Sequence, residues 1–198
     1  MGVEFEVKFR ANPAQLKQLD AAVSGESCVI EMETTYYDTP DKDLSRRHDT
    51  LRRRLENGVS VCTLKTPAGG LGRQEYEINC PDIETAIPEL CKLAKDEELP
   101  LLLQKGIAPL CGAKFTRIAK TVVLEGGVIE LALDEGVLTG GGKTTPLCEI
   151  EVELKEGPEA VAVEYAKQLA KEYGLVQERM SKFRRAKDLA EGESADGV

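Results

Sequence analysis

Apolar and polar side chains alternate with period two over long stretches of this chain. From Pro146 to Leu154 the alternation is strict, with Glu149, Glu151 and Glu153 against Ile150, Val152 and Leu154. Successive side chains of a strand point to opposite faces, so the carboxylates share one face and the apolar residues the other. Residues 3–10 repeat the pattern, with Val3, Phe5, Val7 and Phe9 opposite Glu4, Glu6, Lys8 and Arg10. Further strands are predicted at 28–37, 50–55, 59–65, 72–78, 113–124 and 128–134, which makes eight. Asn57-Gly58 is a strong hairpin signal, and Gly126-Gly127 marks a second tight turn. Strands joined this way form a mainly antiparallel sheet.

Helical periodicity takes over elsewhere. Asn12-Pro13 is a cap and first-turn pair, followed by the apolar stripe Leu16, Leu19, Val23 and a stop at Gly25. Asp82 to about Leu103 reads as helix interrupted by Pro88 and Pro100. Gly157-Pro158 opens a helix with Val161, Tyr165 and Leu169 inward, closed by Gly174. The basic run Ser181-Lys182-Phe183-Arg184-Arg185-Ala186 continues into a terminal helix. The fold class is therefore α+β: one domain over 1–190, then a polar, disordered tail over 191–198.

The polar faces carry charge rather than neutral filler. Glu4, Glu6, Glu75, Glu77, Glu130, Asp134, Glu149, Glu151 and Glu153 fall there, against Lys8, Arg10, Arg52, Arg54, Lys65, Arg73 and Arg117. Two readings follow. A half-solvated sheet puts its apolar face on helices and its charged face in water. Alternatively, the sheet closes into an eight-stranded antiparallel β-barrel, a tunnel with a charged lumen and helices packed outside. About eight strands leave room for side chains or one small ligand. Carboxylates and guanidinium groups cluster on different strands, which favours two subsites in an enclosed space. Carboxylate oxygens suit Mg²⁺, and arginine forks suit phosphate oxygens.

Composition narrows the partners. The chain has 198 residues and a net charge of -9, which speaks against a DNA or anionic-membrane binder. Six cysteines include no CxxC clip and suit reduced thiols of a cytoplasmic protein. No apolar run reaches membrane length. Gly140-Gly141-Gly142-Lys143-Thr144 imitates the end of a P-loop, but Val137 stands where a glycine is needed and a strand follows. The lone His48 has no nameable partner, and Tyr36, Tyr37 and Phe183 are expected in packing roles.

Glu4-x-Glu6-x-Lys8 at the start of the chain resembles the signature of the CYTH domains, also called triphosphate tunnel metalloenzymes. Tyr37-Asp38-Thr39-Pro40, Leu51-Arg52-Arg53-Arg54, Leu64-Lys65, Arg73-x-Glu75-x-Glu77, Arg117, Leu133-Asp134, Glu149-x-Glu151-x-Glu153 and Ser181-Lys182-Phe183 extend the resemblance in order. It implies an eight-stranded tunnel and hydrolysis of triphosphates with Mg²⁺ or Mn²⁺. Inorganic triphosphatase is the first expectation. Class IV adenylyl cyclase and thiamine triphosphatase are alternatives, as is a polyphosphate- or nucleotide-binding module without turnover. No aromatic cage for a base or thiazolium can be named among nine Phe and Tyr and no Trp.

Roles follow as expectations. Asp134, Glu149 and Glu151 hold one metal, with Glu153 further along the wall; Glu4 and Glu6 hold or orient a second metal and its water. Lys8, Arg52, Arg54, Lys65, Arg73, Arg117 and Lys182 bind triphosphate oxygens. Glu4, Glu6 and Lys182 are the candidates to take the proton of the attacking water. Glu151→Gln is expected to abolish metal-dependent turnover and leave unfolding near wild type. The bland alternative for Arg73 is a plain cross-strand ion pair with Glu75 or Glu77, worth little.

Overall fold

The structure, a computed structural model, describes residues 5–68 and 73–192. Fifteen elements run in the order β1 (Glu6–Arg10), α1 (Pro13–Ala22), β2 (Glu26–Asp38), α2 (Asp43–Arg46), β3 (Thr50–Glu56), β4 (Val59–Pro67), β5 (Arg73–Asn79), α3 (Ile83–Ala94), α4 (Leu99–Leu103), β6 (Ala108–Leu124), β7 (Gly127–Gly140), β8 (Lys143–Glu156), α5 (Glu159–Tyr173), β9 (Val176–Gln177) and α6 (Lys182–Glu191). Expected starts and stops are visible. Asn12 caps α1 and exchanges hydrogen bonds with Gln15 in a capping box, and Gly174 ends α5 in the left-handed region. The tail expected from 191 falls on the last residue of α6, its Gly192 cap, and 193–198, which lie outside the described residues.

All pairings are antiparallel, in the order β5-β4-β3-β2-β6-β7-β8-β1-β9. The sheet has nine strands rather than the expected eight, and it is not closed into a barrel. The extra strand, β9, is two residues long, too short to show any alternation, and is recognisable only by its pairing with Phe9 and Arg10. Closure needs hydrogen bonds between the two edge strands. The edges here are β5 and this two-residue β9, and among the described residues none join them.

The apolar face is covered in two blocks. Phe9, Leu131, Ile150 and Val152 meet Leu16 and Leu19 of α1 and Ala162, Ala166 and Leu169 of α5. Leu51, Cys62 and Leu64 meet Leu44 of α2 and Ile83, Ala86 and Leu90 of α3. Burying the larger of these side chains, Phe, Leu, Ile and Val, stabilises the fold by about 1.5–3 kcal/mol each.

Helix α6 departs from the expectation that every helix packs outside. It lies on the charged face, against β6, β7 and β8. Its apolar side, Phe183, Ala186 and Ala190, meets Met32, Tyr36, Phe115, Leu138 and Leu147, which interrupt the charged face with an apolar strip. Tyr36 and Phe183 stack at a tilt with centroids 5.1 Å apart, in the packing role expected of them. A Cβ at Gly140 would stand 2.3 Å from the Ala186 carbonyl oxygen and 2.8 Å from the Ala190 nitrogen, so the helix seats only because this position is glycine. Gly140→Ala is therefore expected to loosen α6, at a cost of about 1–3 kcal/mol in urea unfolding. Hydrogen exchange should rise first in α6.

Candidate active site

The site grows from the register of four neighbouring strands. Lys8 of β1 stands opposite Glu151 of β8, and Arg10 opposite Glu149. Glu149 stands opposite Asp134 of β7, and Asp134 opposite Arg117 of β6. The face that carries these side chains is covered by α6. Asp134 and Glu149 are fully buried and Glu151 is 9% exposed, which decides against a sheet whose charged face lies in water.

Three carboxylates converge. Asp134, Glu149 and Glu151 each offer an oxygen, and these oxygens lie within 4.8 Å of one another. Basic groups hold them there. Arg117 donates to both oxygens of Asp134 at 2.7 Å and also to Glu151. Lys182 Nζ lies 2.7 Å from Asp134 Oδ2 and donates to Glu151 Oε1 at 2.7 Å and to Glu149 Oε1. Ser181, whose hydroxyl accepts from the Arg184 nitrogen, caps α6 and makes Lys182 its first residue. One turn later Arg185 donates to Glu149.

These partners set the protonation states. Burial raises the Glu149 carboxyl, Lys182 opposes the rise and Glu151 adds to it, and the net result is about 7. Burial also disfavours the charge on Glu151, but Lys182 and Arg117 more than offset it and hold Glu151 well below the usual carboxylate range. Burial disfavours the Lys182 ammonium too, and Asp134, Glu151 and Glu149 outweigh it, so its pKa is raised.

A second wall lies on β3, β4 and β5. Arg52 reaches Glu75 at 3.1 Å and Glu77 at 3.6 Å, and Lys65 reaches Glu75 at 3.1 Å. Arg54 pairs with Glu56 at 2.7 Å, and its buried Nε has no hydrogen-bond acceptor among the described residues. Burial, then the neighbouring Arg52, lowers the Arg54 pKa, and Arg117 adds to the effect. Crowded, desolvated guanidinium groups of this kind favour an anion.

The remaining predicted residues sit as follows. Glu6 accepts from Lys8 at 2.7 Å; burial disfavours the Lys8 ammonium, but Glu6 together with Glu151 and Glu149 more than offsets it, so its pKa is raised. Glu153 pairs with Lys155 at 2.8 Å, at the end of β8 remote from Glu149. Arg73 donates to the His48 carbonyl at 2.7 Å, the Lys65 carbonyl at 3.0 Å and the Thr50 hydroxyl at 3.2 Å, which fixes the ends of β3 and β4. Glu4 lies outside the described residues.

Sequence reasoning missed Arg185 and Glu178. Arg185 Nη1 lies 3.8 Å from Glu178, which also accepts from Arg10 Nε at 2.6 Å and from the Met180 nitrogen at 2.8 Å. The spacing of Lys182 and Arg185, one helical turn, was the available signal.

Comparison with known proteins settles the family. The CYTH domain model matches residues 2–186. The chain belongs to the CYTH domain family. Among curated proteins, this CYTH chain is 36% identical over 130 residues to the inorganic triphosphatase of Haemophilus influenzae (strain ATCC 51907 / DSM 11121 / KW20 / Rd). The match spans 62% of this chain and about a third, 36%, of the relative's length. Among solved structures, a Bacillus halodurans protein proposed to be an adenylate cyclase superposes with a TM-score of 0.64 at 20% identity, over 93% of this chain and 98% of that one. HpAC1 from Hippeastrum, a proposed adenylyl cyclase with a dominant triphosphatase activity, gives 0.62 at 20% identity, over 99% and 98%. These likenesses show the fold.

The CYTH fold implies a divalent metal, and the residues present fit one. Mg²⁺ takes hard oxygen ligands at about 2.0–2.1 Å, so oxygens sharing an ion lie about 3–4 Å apart. The Asp134, Glu149 and Glu151 oxygens need little movement to meet that spacing. Among the described residues no helix is long and apolar enough to cross a membrane.

Proposed function

We propose that this CYTH chain hydrolyses inorganic tripolyphosphate to pyrophosphate and phosphate, with Mg²⁺ or Mn²⁺. The observation that carries the reading is the burial of Asp134, Glu149 and Glu151 on the same sheet face as the crowded guanidinium groups of Arg52, Arg54 and Arg117. Internal ion pairs neutralise both sets in the metal-free protein, and a metal with a polyanion would take over from those pairs. The partial likeness to an inorganic triphosphatase supports the choice of substrate.

Asp134, Glu149 and Glu151 hold one ion. Glu6, together with Glu4, serves a second. When bound, a divalent ion supplies charge neutralisation and Lewis-acid polarisation of a phosphoryl oxygen. The protein supplies positioning. Arg52, Arg54 and Lys65 grip phosphate oxygens from β3 and β4, and Lys8 meets the chain of phosphates from β1. Helix α6 closes the other side and excludes bulk water from the triad. Glu6, half-buried and held by Lys8, takes the proton as water attacks the terminal phosphorus and the phosphoanhydride bond breaks.

The test is product identification. Tripolyphosphate, ATP and thiamine triphosphate are incubated with Mg²⁺ or Mn²⁺, and again with EDTA. Orthophosphate from tripolyphosphate, abolished by EDTA, is expected. Cyclic AMP with pyrophosphate from ATP would replace this reading with a cyclase, and tight binding without product would replace it with a binding module.

A further inference from the structure

Lys182 stands where a divalent ion shared by Asp134, Glu149 and Glu151 would stand. Its Nζ touches all three carboxylates, which are also the three whose oxygens converge. A hard ion needs those same oxygens at coordination distance, and an ammonium beside it in a water-poor space repels it strongly. The two cations therefore exclude each other. We propose, on the metal-site reading given above, that Lys182 is the resident counter-cation of the metal-free protein and that Mg²⁺ or Mn²⁺ binds only by displacing it.

The surroundings say why Lys182 is the group that yields. Among the described residues, Arg117, Lys182 and Arg185 form ion pairs with the three carboxylates, and Lys8 adds its charge from the neighbouring strand. Arg117 is locked by its two parallel bonds to Asp134, a bidentate geometry that resists displacement. Arg185 approaches Glu149 and lies 3.8 Å from Glu178, so it has a second acidic neighbour. Lys182 is a point charge on a flexible stem at the first residue of α6, and Phe183, Ala186 and Ala190, not Lys182, carry the packing that seats the helix. Asp134, Glu149 and Glu151 keep Arg117 and Arg185 when it leaves. The displaced ammonium then needs an acceptor, and a triphosphate supplies one. Metal alone is bound weakly for this reason, and metal with polyanion is bound well.

The test measures Mn²⁺ alone, by the loss of its free electron paramagnetic resonance signal. The wild type, Lys182→Gln and Glu151→Gln are compared in the full chain. Lys182→Gln is expected to bind Mn²⁺ about tenfold tighter than wild type even though it hydrolyses tripolyphosphate more slowly. Glu151→Gln is expected to bind it more weakly. Equal or weaker Mn²⁺ binding by Lys182→Gln, with Glu151→Gln still impaired, overturns the displacement and leaves the metal site standing. Wild-type Mn²⁺ binding in Glu151→Gln removes the metal site and the displacement with it. A second readout needs no variant: acylation of Lys182 in the wild type should accelerate as Mn²⁺ is added, and unchanged protection at saturating Mn²⁺ overturns the proposal.

Discussion

Glu151→Gln is expected to lose metal-dependent phosphate release from tripolyphosphate by about a thousandfold or more. Lewis-acid stabilisation of this kind is worth several kcal/mol, and each 1.4 kcal/mol or so is a factor of ten. Gln keeps the volume of Glu151 but removes the charge that Lys182 and Arg117 share. Near-wild-type turnover would show that the triad is structural. The stability outcome differs from the one expected of an isolated metal ligand. Glu151 is part of a buried ion-pair network, so its neutralisation should cost about 1–3 kcal/mol in urea unfolding, less than an unshared buried pair because Asp134 and Glu149 still serve both cations.

Arg117→Met is expected to carry the largest stability loss, about 3–5 kcal/mol, because it leaves Asp134 fully buried with Lys182 alone. Burial disfavours the Arg117 charge, yet Glu151 and Asp134 raise its pKa well above the ordinary value, so the pairing outweighs desolvation. The variant should regain part of the loss when Mn²⁺ is added, since the ion replaces the missing positive charge at the same carboxylates. Urea midpoints with and without Mn²⁺ measure both effects. An unchanged midpoint in Arg117→Met would mean that the carboxylates are solvated after all.

The strand pattern made much of this arrangement legible. Strict alternation at Glu149, Glu151 and Glu153 assigned the faces of β8, and Asn57-Gly58 became the turn between β3 and β4. The register that sets Asp134 beside Glu149 and Lys8 beside Glu151 followed from antiparallel hairpins and one long-range pairing. Periodicity could not show β9, because two residues carry no period. Nor could it show that the sheet stays open, since closure is a matter of which edges bond.

The terminal helix was foreseen, but the placement of α6 on the charged face escaped for another reason. Its sequence reads as basic and surface-like, and the small residues Ala186 and Ala190 that seat it against Gly140 look unremarkable in a helix. Their consequence is large, because α6 turns a one-sided sheet into an enclosed site and delivers Lys182 and Arg185 to the carboxylates. Met32, Phe115 and Leu147 were the readable hint: apolar side chains on the charged face need something to cover them.

Mn²⁺ soaked into crystals and located by its anomalous scattering tests the central claim most directly. A peak bonded to oxygens of Asp134, Glu149 and Glu151 at about 2.2 Å, with Lys182 Nζ moved out of the triad, is the predicted result. A peak only at exposed carboxylates, with Lys182 still seated among Asp134, Glu149 and Glu151, would contradict the account.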